Sequence, residues 1–172
     1  NVHKGCFGKS VLIGGSKDFS GSVVLSMNAL TALKTGAGYS SIVVPDCLFT
    51  GLIGLNPECI LNSAPDIDGK FAFNRDFFAK YLNADCVCIG MGCGVSENLY
   101  QIIKFFLTNY KGTLVVDADG LEYISSAGLR IILRLKKADA NLAIINVIPE
   151  VYDVFDMTGF VDMVKIEKAY RR

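Results

Sequence analysis

Residues 113–130 read Thr-Leu-Val-Val-Asp-Ala-Asp-Gly-Leu-Glu-Tyr-Ile-Ser-Ser-Ala-Gly-Leu-Arg, and this stretch decides the fold class. Residues 114–116 are a short run of apolar side chains, which predicts a strand buried on both faces. An acidic turn at residues 117–120 and a predicted helix at residues 126–137 follow that strand. A buried strand that leads through a turn into a helix is typical of a parallel sheet covered by helices on both sides.

Strands and helices alternate in the same way on either side of this stretch. Ser96 is predicted to cap a helix whose apolar residues recur at intervals of three and four, namely Leu99, Ile102, Ile103, Phe106, Leu107 and Tyr110. The other predicted elements are strands at residues 10–13, 41–44, 86–89, 143–147 and 164–166 and helices at residues 21–33, 47–55, 74–82 and 149–157. Residues 62–73 are predicted to be one long polar connection. We therefore predict a single α/β domain over residues 1–172, a three-layer sandwich with a mainly parallel sheet.

Composition excludes several classes of partner. The 172 residues are 51% hydrophobic, which is enough to bury the core of one domain. The numbers of basic and acidic residues are equal at 17, so we expect neither nucleic acid nor an anionic membrane as a partner. No signal-peptide pattern opens the sequence, which begins with Asn1, so we expect a cytoplasmic protein.

The cysteine pattern predicts no metal cofactor. The six cysteines and the single histidine, His3, do not have the spacing of a metal site. Cys86 and Cys88 alternate within a predicted strand, so we interpret them as small buried apolar residues rather than a redox pair.

Two glycine turns follow predicted strands. The first is Gly14, Gly15 and Ser16, and the second, at residues 90–94, contains Gly90, Gly92 and Gly94. Glycines let the backbone approach an anion, and the helix that follows presents free N–H groups. Each turn alone is also explained as a packing device, but two in one chain favour a phosphate or nucleotide site.

Two carboxylates follow the strand at residues 114–116. Asp117 and Asp119 lie where side chains of this type bind a metal, a ribose hydroxyl or a proton in transfer. The alternative is a purely structural turn, in which Asp119 and Gly120 change the chain direction and Asp117 accepts backbone hydrogen bonds.

Five motifs between residues 3 and 121 carry a resemblance to a known family. They are His3-Lys4-Gly5-x-x-Gly8-Lys9, Ile13-Gly14-Gly15-Ser16, Phe19-Ser20-Gly21, Lys34-Thr35-Gly36-Ala37-Gly38 and Val116-Asp117-Ala118-Asp119-Gly120-Leu121. In this order and spacing they resemble the ADP/ATP-dependent NAD(P)H-hydrate dehydratases, a ribokinase-like family. The resemblance implies ADP or ATP and an NAD(P)H-type ligand, with the turn of Ser20, Gly21 and Ser22 and the loop at residues 90–94 lining the pocket for the hydrated nicotinamide.

The sequence departs from this family in two ways. The family usually has Ala-Pro where Ser22 and Val23 stand, and Gly-Pro-Gly-Leu-Gly where Met91 and Cys93 interrupt the second turn. The family also has a later Pro-His-Pro-Gly-Glu segment that contacts substrate and a Gly-Ser-Gly-Asp segment that carries the catalytic acid/base, and neither follows Leu121. We therefore predict at most vestigial nucleotide binding and no competent dehydration, since a missing acid/base costs roughly 10²–10⁴ in rate.

The last third of the chain has a different resemblance. Residues 122–130, Glu-Tyr-Ile-Ser-Ser-Ala-Gly-Leu-Arg, followed by residues 149–155 and 157–160, resemble the C-terminal half of a STAS anti-sigma-factor antagonist. That resemblance implies phosphorylation of Ser126 by an anti-sigma kinase, at a helix start where a phosphate is stabilised. The alternative is that Ser125 and Ser126 only cap the helix.

Both resemblances together predict an engineered chimera, with a dehydratase-like segment at residues 1–121 and a STAS-like segment at residues 113–172. Three function classes follow from them: a binding module with a remnant nucleotide pocket, a dehydratase remnant with trace activity, and a phosphorylatable interaction surface. A chain without any selected function is a fourth interpretation. We favour a dehydratase-like fold without competent catalysis.

Overall fold

The structure is a computed structural model that describes residues 7–31, 38–117, 142–147 and 149–168. Its strands are β1 (Lys9–Ile13), β2 (Tyr39–Pro45), β3 (Ile60–Ala64), β4 (Asp66–Ile67), β5 (Lys70–Phe71), β6 (Cys86–Ile89), β7 (Thr113–Asp117), β8 (Leu142–Val147) and β9 (Lys165–Lys168). Its helices are α1 (Ser20–Thr31), α2 (Asp46–Leu52), α3 (Arg75–Ala79), α4 (Glu97–Asn109) and α5 (Pro149–Met157). None of the helices within those ranges is long and apolar enough to cross a membrane.

Seven strands form one sheet in the order β3-β2-β1-β6-β7-β8-β9, and every neighbouring pair is parallel. The predicted α/β fold with a mainly parallel sheet is therefore confirmed. β7 pairs with both of its neighbours, so that Val116 lies opposite Ile89 on one side and Ile144 on the other. Residues on both sides of the predicted junction thus share one continuous sheet.

Helices cover both faces of this sheet. On one face, the side chains of α3 and α4 pack on alternate strand residues such as Val11, Ile13 and Val43. On the other face, the core contains Leu12 and Ile42 together with residues of α1 and α2. Apolar side chains that alternate along a strand point to opposite faces, which is why near-continuous apolar strands are needed here.

Helix α4 matches its prediction closely. The Ser96 hydroxyl accepts a hydrogen bond from the backbone N–H of Leu99 at 3.1 Å, which confirms the predicted cap. The apolar positions predicted to face the core are all buried, namely Leu99, Ile102, Ile103, Phe106, Leu107 and Tyr110. Phe105 is buried as well, so the apolar face is wider than the sequence spacing indicated.

Residues 62–73 are not the single polar connection that the sequence predicts. β3 continues to Ala64, and β4 and β5 then form an antiparallel hairpin. Asp68 and Gly69 make the hairpin turn with φ angles of 53° and 78°, a conformation that glycine and aspartate tolerate best. Strands of two residues are too short to show a sequence period, so this hairpin was missed.

Two predicted helices end earlier than expected. α2 ends at Leu52 rather than at residue 55, and α3 ends at Ala79 rather than at residue 82. After α3, the amides of Lys80, Tyr81 and Leu82 donate to carbonyls three residues earlier, so the chain continues in tight turns. The helix at residues 149–157 is confirmed, with Gly159 in a positive-φ conformation after it, whereas the helix predicted at residues 126–137 lies outside the described residues.

Candidate functional site

The order of the sheet determines where a ligand crevice lies. β1 and β6 are neighbours, and the chain leads outward from them in opposite directions, through β2 and β3 on one side and β7 to β9 on the other. Connections on the two sides of such a switch point leave on opposite faces, which opens a crevice at the carboxyl ends of the two strands. The two glycine turns predicted from sequence follow β1 and β6, so the fold brings them together at this point.

The first glycine loop, residues 14–16, is buried and its first two amides are already used. The Gly14 amide donates to the carbonyl of Val43 at 3.1 Å, and the Gly15 amide donates to the carbonyl of Met91 at 2.8 Å. An amide that donates within the protein is not free to bind a phosphate. In this structure the first loop therefore holds its neighbours in place rather than presenting donors to the crevice.

Ser16 ends this loop with its side chain fully buried. Its carbonyl accepts a hydrogen bond from the Phe19 amide at 3.1 Å, whereas its Oγ has no hydrogen-bond partner among the described residues. Because a ligand cannot reach a side chain with no exposed surface, Ser16 lies behind the crevice. An unpaired buried hydroxyl costs about 1–3 kcal/mol.

The second glycine loop, residues 90–94, is shaped by positive φ angles at Gly90, Gly92 and Gly94. A side chain at Gly90 is excluded by the neighbouring strand, because its Cβ would lie 2.8 Å from the carbonyl oxygen of Asp117. The amides of Gly92 and Gly94 donate to no other described residue. Gly92 is buried and Gly94 is half-buried, so Gly94 is the more accessible of the two at the edge of the crevice.

Gly92 brings the second loop against the start of α1. A Cβ at Gly92 would lie 2.6 Å from the Cβ of Ser22 and 2.8 Å from the carbonyl oxygen of Phe19. Ser20 and Gly21 are exposed in the first turn of α1, where helix N–H groups have no partner within the helix. The second loop thus packs against the turn of residues 20–22. That these two segments line a pocket for the hydrated nicotinamide stays a prediction.

The departures from the family pattern in the second loop affect packing. Cys93 is 1% exposed, and its thiol lies 3.7 Å from the carbonyl oxygen of Ile13. Burial raises the pKa of Cys93 to about 12. Met91 is half-buried and packs on the core beneath α1, and Val23 of that core is fully buried. Residues 23, 91 and 93 therefore support the loop from behind, and Ser22 is the one departure that borders the crevice.

Asp117 is 7% exposed at the carboxyl end of β7. Its main chain lies against Gly90, and its carboxylate is near enough to Cys93 to raise the pKa of that thiol further. Asp117 therefore borders the inner end of the second loop. Asp119 lies outside the described residues, as does Ser126.

Two lysines that the sequence did not single out lie beside the crevice. The Lys17 amide donates to the carbonyl of Gly69 at 2.8 Å, and Lys70 Nζ donates to the carbonyl of Val95 at 3.3 Å. The β4–β5 hairpin thus contacts both the segment after the first glycine loop and the segment after the second. The Asp68-Gly69 pair is a hairpin signal that would have located Lys70.

The described residues contain no group of three His, Cys, Asp or Glu side chains close enough together to hold a metal ion. The donors and charges at the crevice are instead backbone amides and lysine ammonium groups. This set matches the chemistry of phosphate binding, in which helix N-termini and cations neutralise the anion.

Sequence comparisons identify relatives of this chain. A family profile described as NAD(P)H-hydrate dehydratase matches residues 10–139. A bifunctional NAD(P)H-hydrate repair enzyme from Dictyoglomus turgidum is 35% identical over 127 residues, which are 72% of this chain and 24% of that protein. An ATP-dependent (S)-NAD(P)H-hydrate dehydratase from Nematostella vectensis is 31% identical over 129 residues, 72% of this chain and 34% of that protein. The chain therefore spans only about a quarter to a third of the length of these relatives.

Solved structures show the same fold. A ribokinase-like superfamily protein from Enterococcus faecalis superposes with a TM-score of 0.65 at 15% identity, covering 99% of this chain and 60% of that one. An ADP/ATP-dependent NAD(P)H-hydrate dehydratase from Bacillus subtilis superposes with a TM-score of 0.56 at 21% identity, covering 92% of this chain and 50% of that one. These likenesses support the predicted α/β fold and give it ribokinase-like structural neighbours, but they do not show the predicted STAS-like continuation.

The family match also bears on the predicted chimera. It runs to residue 139 and so passes through residues 122–130, on which the resemblance to a STAS domain rests. It supports the dehydratase part of the sequence interpretation and gives no support for a STAS segment or a junction. Phosphorylation of Ser126 and an anti-sigma kinase partner stay predictions. Through the profile match over residues 10–139 and the likeness to its curated relatives, the chain belongs to the NAD(P)H-hydrate dehydratase family.

Proposed function

We propose that this chain binds an adenine or nicotinamide nucleotide weakly at the crevice between β1 and β6 and does not complete the dehydration by itself. The observation that carries this proposal is the contact of Gly92 with Ser22 and Phe19, which joins the second glycine loop to the first turn of α1. Half-buried Gly94 lies on one side of that contact and exposed Ser20 and Gly21 lie on the other, and backbone amides at such positions are suited to a phosphate. Relatives described as ATP-dependent and ADP-dependent dehydratases add support for a nucleotide ligand.

Lys17 and Lys70 supply the charge that such a ligand requires. Lys17 is exposed and Lys70 half-exposed, so either ammonium group is free to reorient toward a phosphate in the crevice. The existing hydrogen bond of Lys70 to the Val95 carbonyl, at 3.3 Å, is long and therefore weak. Exchange of this contact for a charge-assisted bond to phosphate is favourable.

The dehydration step needs an acid/base group held beside the substrate, and the family's segment that carries this group does not follow Leu121. The single histidine, His3, lies outside the described residues, and Asp117 is almost fully buried beneath the second loop. Loss of a positioned proton-transfer group costs roughly 10²–10⁴ in rate, and lost substrate positioning adds to this. We therefore expect binding without measurable turnover.

Calorimetric titration with ADP, ATP and NADPH tests the binding. Lys70→Ala should weaken binding about tenfold, since a charge-assisted hydrogen bond contributes about 1.5–3 kcal/mol. Lys104→Ala removes an exposed lysine from the distant α4 and is the matched control. Gly21→Trp puts a large ring on the exposed first turn of α1, where no atom lies within 4 Å of the Cβ position, and it should hinder access to the crevice without a clash. Equal affinities for all four proteins would contradict the proposal.

Recovery of nicotinamide absorbance from hydrated NADH or NADPH, with ADP or ATP present, tests the catalysis. The expected result is no recovery above that of the Gly21→Trp variant. Turnover that disappears in both Gly21→Trp and Asp117→Asn would overturn this expectation and would identify Asp117 as the acid/base.

A further inference from the structure

A cavity of about 540 Å³ lies at the opposite end of the sheet, where β1, β2 and β3 begin. Its floor contains Lys9 and Tyr39, which are register partners in β1 and β2, and Ser41, which lies opposite Val11 and Ile60. Register partners in neighbouring parallel strands point to the same face. Since Val11 belongs to the core beneath α3 and α4, the cavity is a part of that face that these helices leave open.

The turn after α3 forms the wall of the cavity. Tyr81 packs edge-on against Phe77 of α3 with a ring-centroid distance of 5.8 Å. Lys80 Nζ lies 5.1 Å from the centroid of the same ring. Both side chains are thereby held against the helix, and Asn83 completes the wall as an exposed amide. The wall is built on α3, whose Phe78 is fully buried in the core.

The polar groups of this cavity are those that bind anions. One lysine comes from the floor and one from the wall, and neither Lys9 nor Lys80 forms an ion pair with any described residue. The nearby Asp85 carboxylate already accepts a hydrogen bond from the Lys9 backbone amide at 2.7 Å. The Tyr81 hydroxyl is protonated at neutral pH, as tyrosines ordinarily are, and burial raises its pKa further.

Tyr39 adds a flat apolar surface to the two cations. Its side chain is 40% exposed although it lies on the sheet, so one part of the ring faces the cavity rather than the core. Aromatic ligands stack on such rings with roughly 1–3 kcal/mol per base. The volume is within the range of about 300–1,000 Å³ that is typical of small-molecule sites.

We propose that this cavity is a second ligand site, which binds a small aromatic phosphate of mononucleotide size. The phosphate lies between Lys9 and Lys80, with the Asn83 amide as a further donor, and the ring stacks on Tyr39. The site is independent of the crevice at the glycine loops, because the five residues of β1 separate the two by roughly 15 Å at about 3.3 Å per residue.

Adenosine 5′-monophosphate is the probe, titrated into the full chain by calorimetry and by amide chemical-shift mapping. Binding should shift the amides of Tyr39, Ser41 and Asn83. The double variant Lys9→Ala/Lys80→Ala should weaken it at least tenfold, whereas Lys104→Ala/Lys111→Ala, which removes two exposed lysines elsewhere, should not. Adenosine without phosphate and inorganic phosphate alone should each bind more weakly than the mononucleotide.

Two further variants separate this site from the crevice. Tyr39→Ala should weaken binding of the mononucleotide but not of inorganic phosphate, because it removes only the stacking surface. Gly21→Trp, which hinders access to the crevice, should leave the shifts at Tyr39 and Asn83 unchanged. Shifts confined to the Gly92 loop, no binding at millimolar probe, or equal affinity of the two double-lysine variants would each overturn the proposal. Circular dichroism of every variant shows whether a loss of binding comes from a loss of fold.

Discussion

The two glycine loops at the switch point have the same strand–glycine–helix pattern, yet the structure uses them differently. In the first loop, the amides of Gly14 and Gly15 donate to backbone carbonyls, and Ser16 is fully buried. In the second loop, the amides of Gly92 and Gly94 donate to no other described residue. Glycines after a strand therefore predict a close approach of backbones, but not which amides have a partner within the protein.

The reason for glycine also differs between the loops. At Gly15 the φ angle is 90°, and a Cβ would be 3.0 Å from the side chains of Val23 and Leu48, which belong to the core. At Gly92 a Cβ would overlap Ser22 and the Phe19 carbonyl, which belong to the crevice wall. The first loop thus packs against the core, whereas the second loop packs against the start of α1, which borders the crevice.

The largest expected effect is a difference between cysteines in their rates of alkylation. The rate at Cys93 shows whether the second loop opens in solution. At pH 7.5 the pKa of Cys93, raised by burial to about 12, keeps its thiol protonated. The neighbouring Cys88 thiol lowers the pKa of Cys86 below its usual range, so Cys86 ionises more readily than Cys93. We expect Cys86 to be alkylated at lower pH than Cys93 and to react much faster than Cys93 at pH 7.5.

Iodoacetamide labelling followed by peptide mass spectrometry measures both rates. Exposed Cys47 serves as the internal reference for accessibility. If Cys93 reacts as fast as Cys47, the second loop is open in solution. The difference in packing between the two glycine loops described above would then be wrong.

Gly92→Ala should destabilise the chain by about 3 kcal/mol, combining a positive-φ penalty of about 1–2 kcal/mol with overpacking against Ser22. Gly54→Ala is the matched control, because its φ of 84° is also positive but no atom lies within 4 Å of its Cβ. We expect the control to cost only about 1 kcal/mol. Urea unfolding measures both, and an equal loss in the two variants would show that the contact at Gly92 does not constrain the loop.

Hydrogen exchange on the same variant tests whether residues 1–172 are one domain, as the sequence predicts. Gly92→Ala should reduce the protection of amides in β6 and β8 by the same free energy, because both strands share one sheet and should unfold together. If β8 keeps its protection while β6 loses it, the two ends of the sheet unfold separately and the single-domain prediction is wrong.

Gly21→Ala should have the smallest effect, a stabilisation of about 0.5 kcal/mol through the lower entropy of the unfolded chain. Gly21 lies in α1 with no atom within 4 Å of its Cβ, so a methyl group meets no obstacle. Thermal unfolding compared with the wild type measures the change. A destabilisation above 1 kcal/mol would mean that the Cβ position of Gly21 is not open and that the first turn of α1 packs against other atoms there.

The sequence by itself determined the elements whose signals are local. Continuous apolar runs predicted the strands at residues 86–89 and 143–147, and the Ser96 cap with its three-and-four spacing predicted α4. It also located the two glycine loops. It indicated the family of the chain because the order and spacing of the motifs can be read from a single sequence. These features depend on neighbours within a few residues, which a sequence displays directly.

Only the tertiary structure decided which of these residues meet. The strand order brings β1 next to β6, and with it Gly92 against Ser22, although 70 positions separate them in the sequence. The same order adds Lys17 and Lys70 to the crevice and leaves the Lys9 cavity open at the far end of the sheet. Hydrogen-bond partners and open volumes are set by contacts between distant segments, and such contacts leave no periodic signal in the chain.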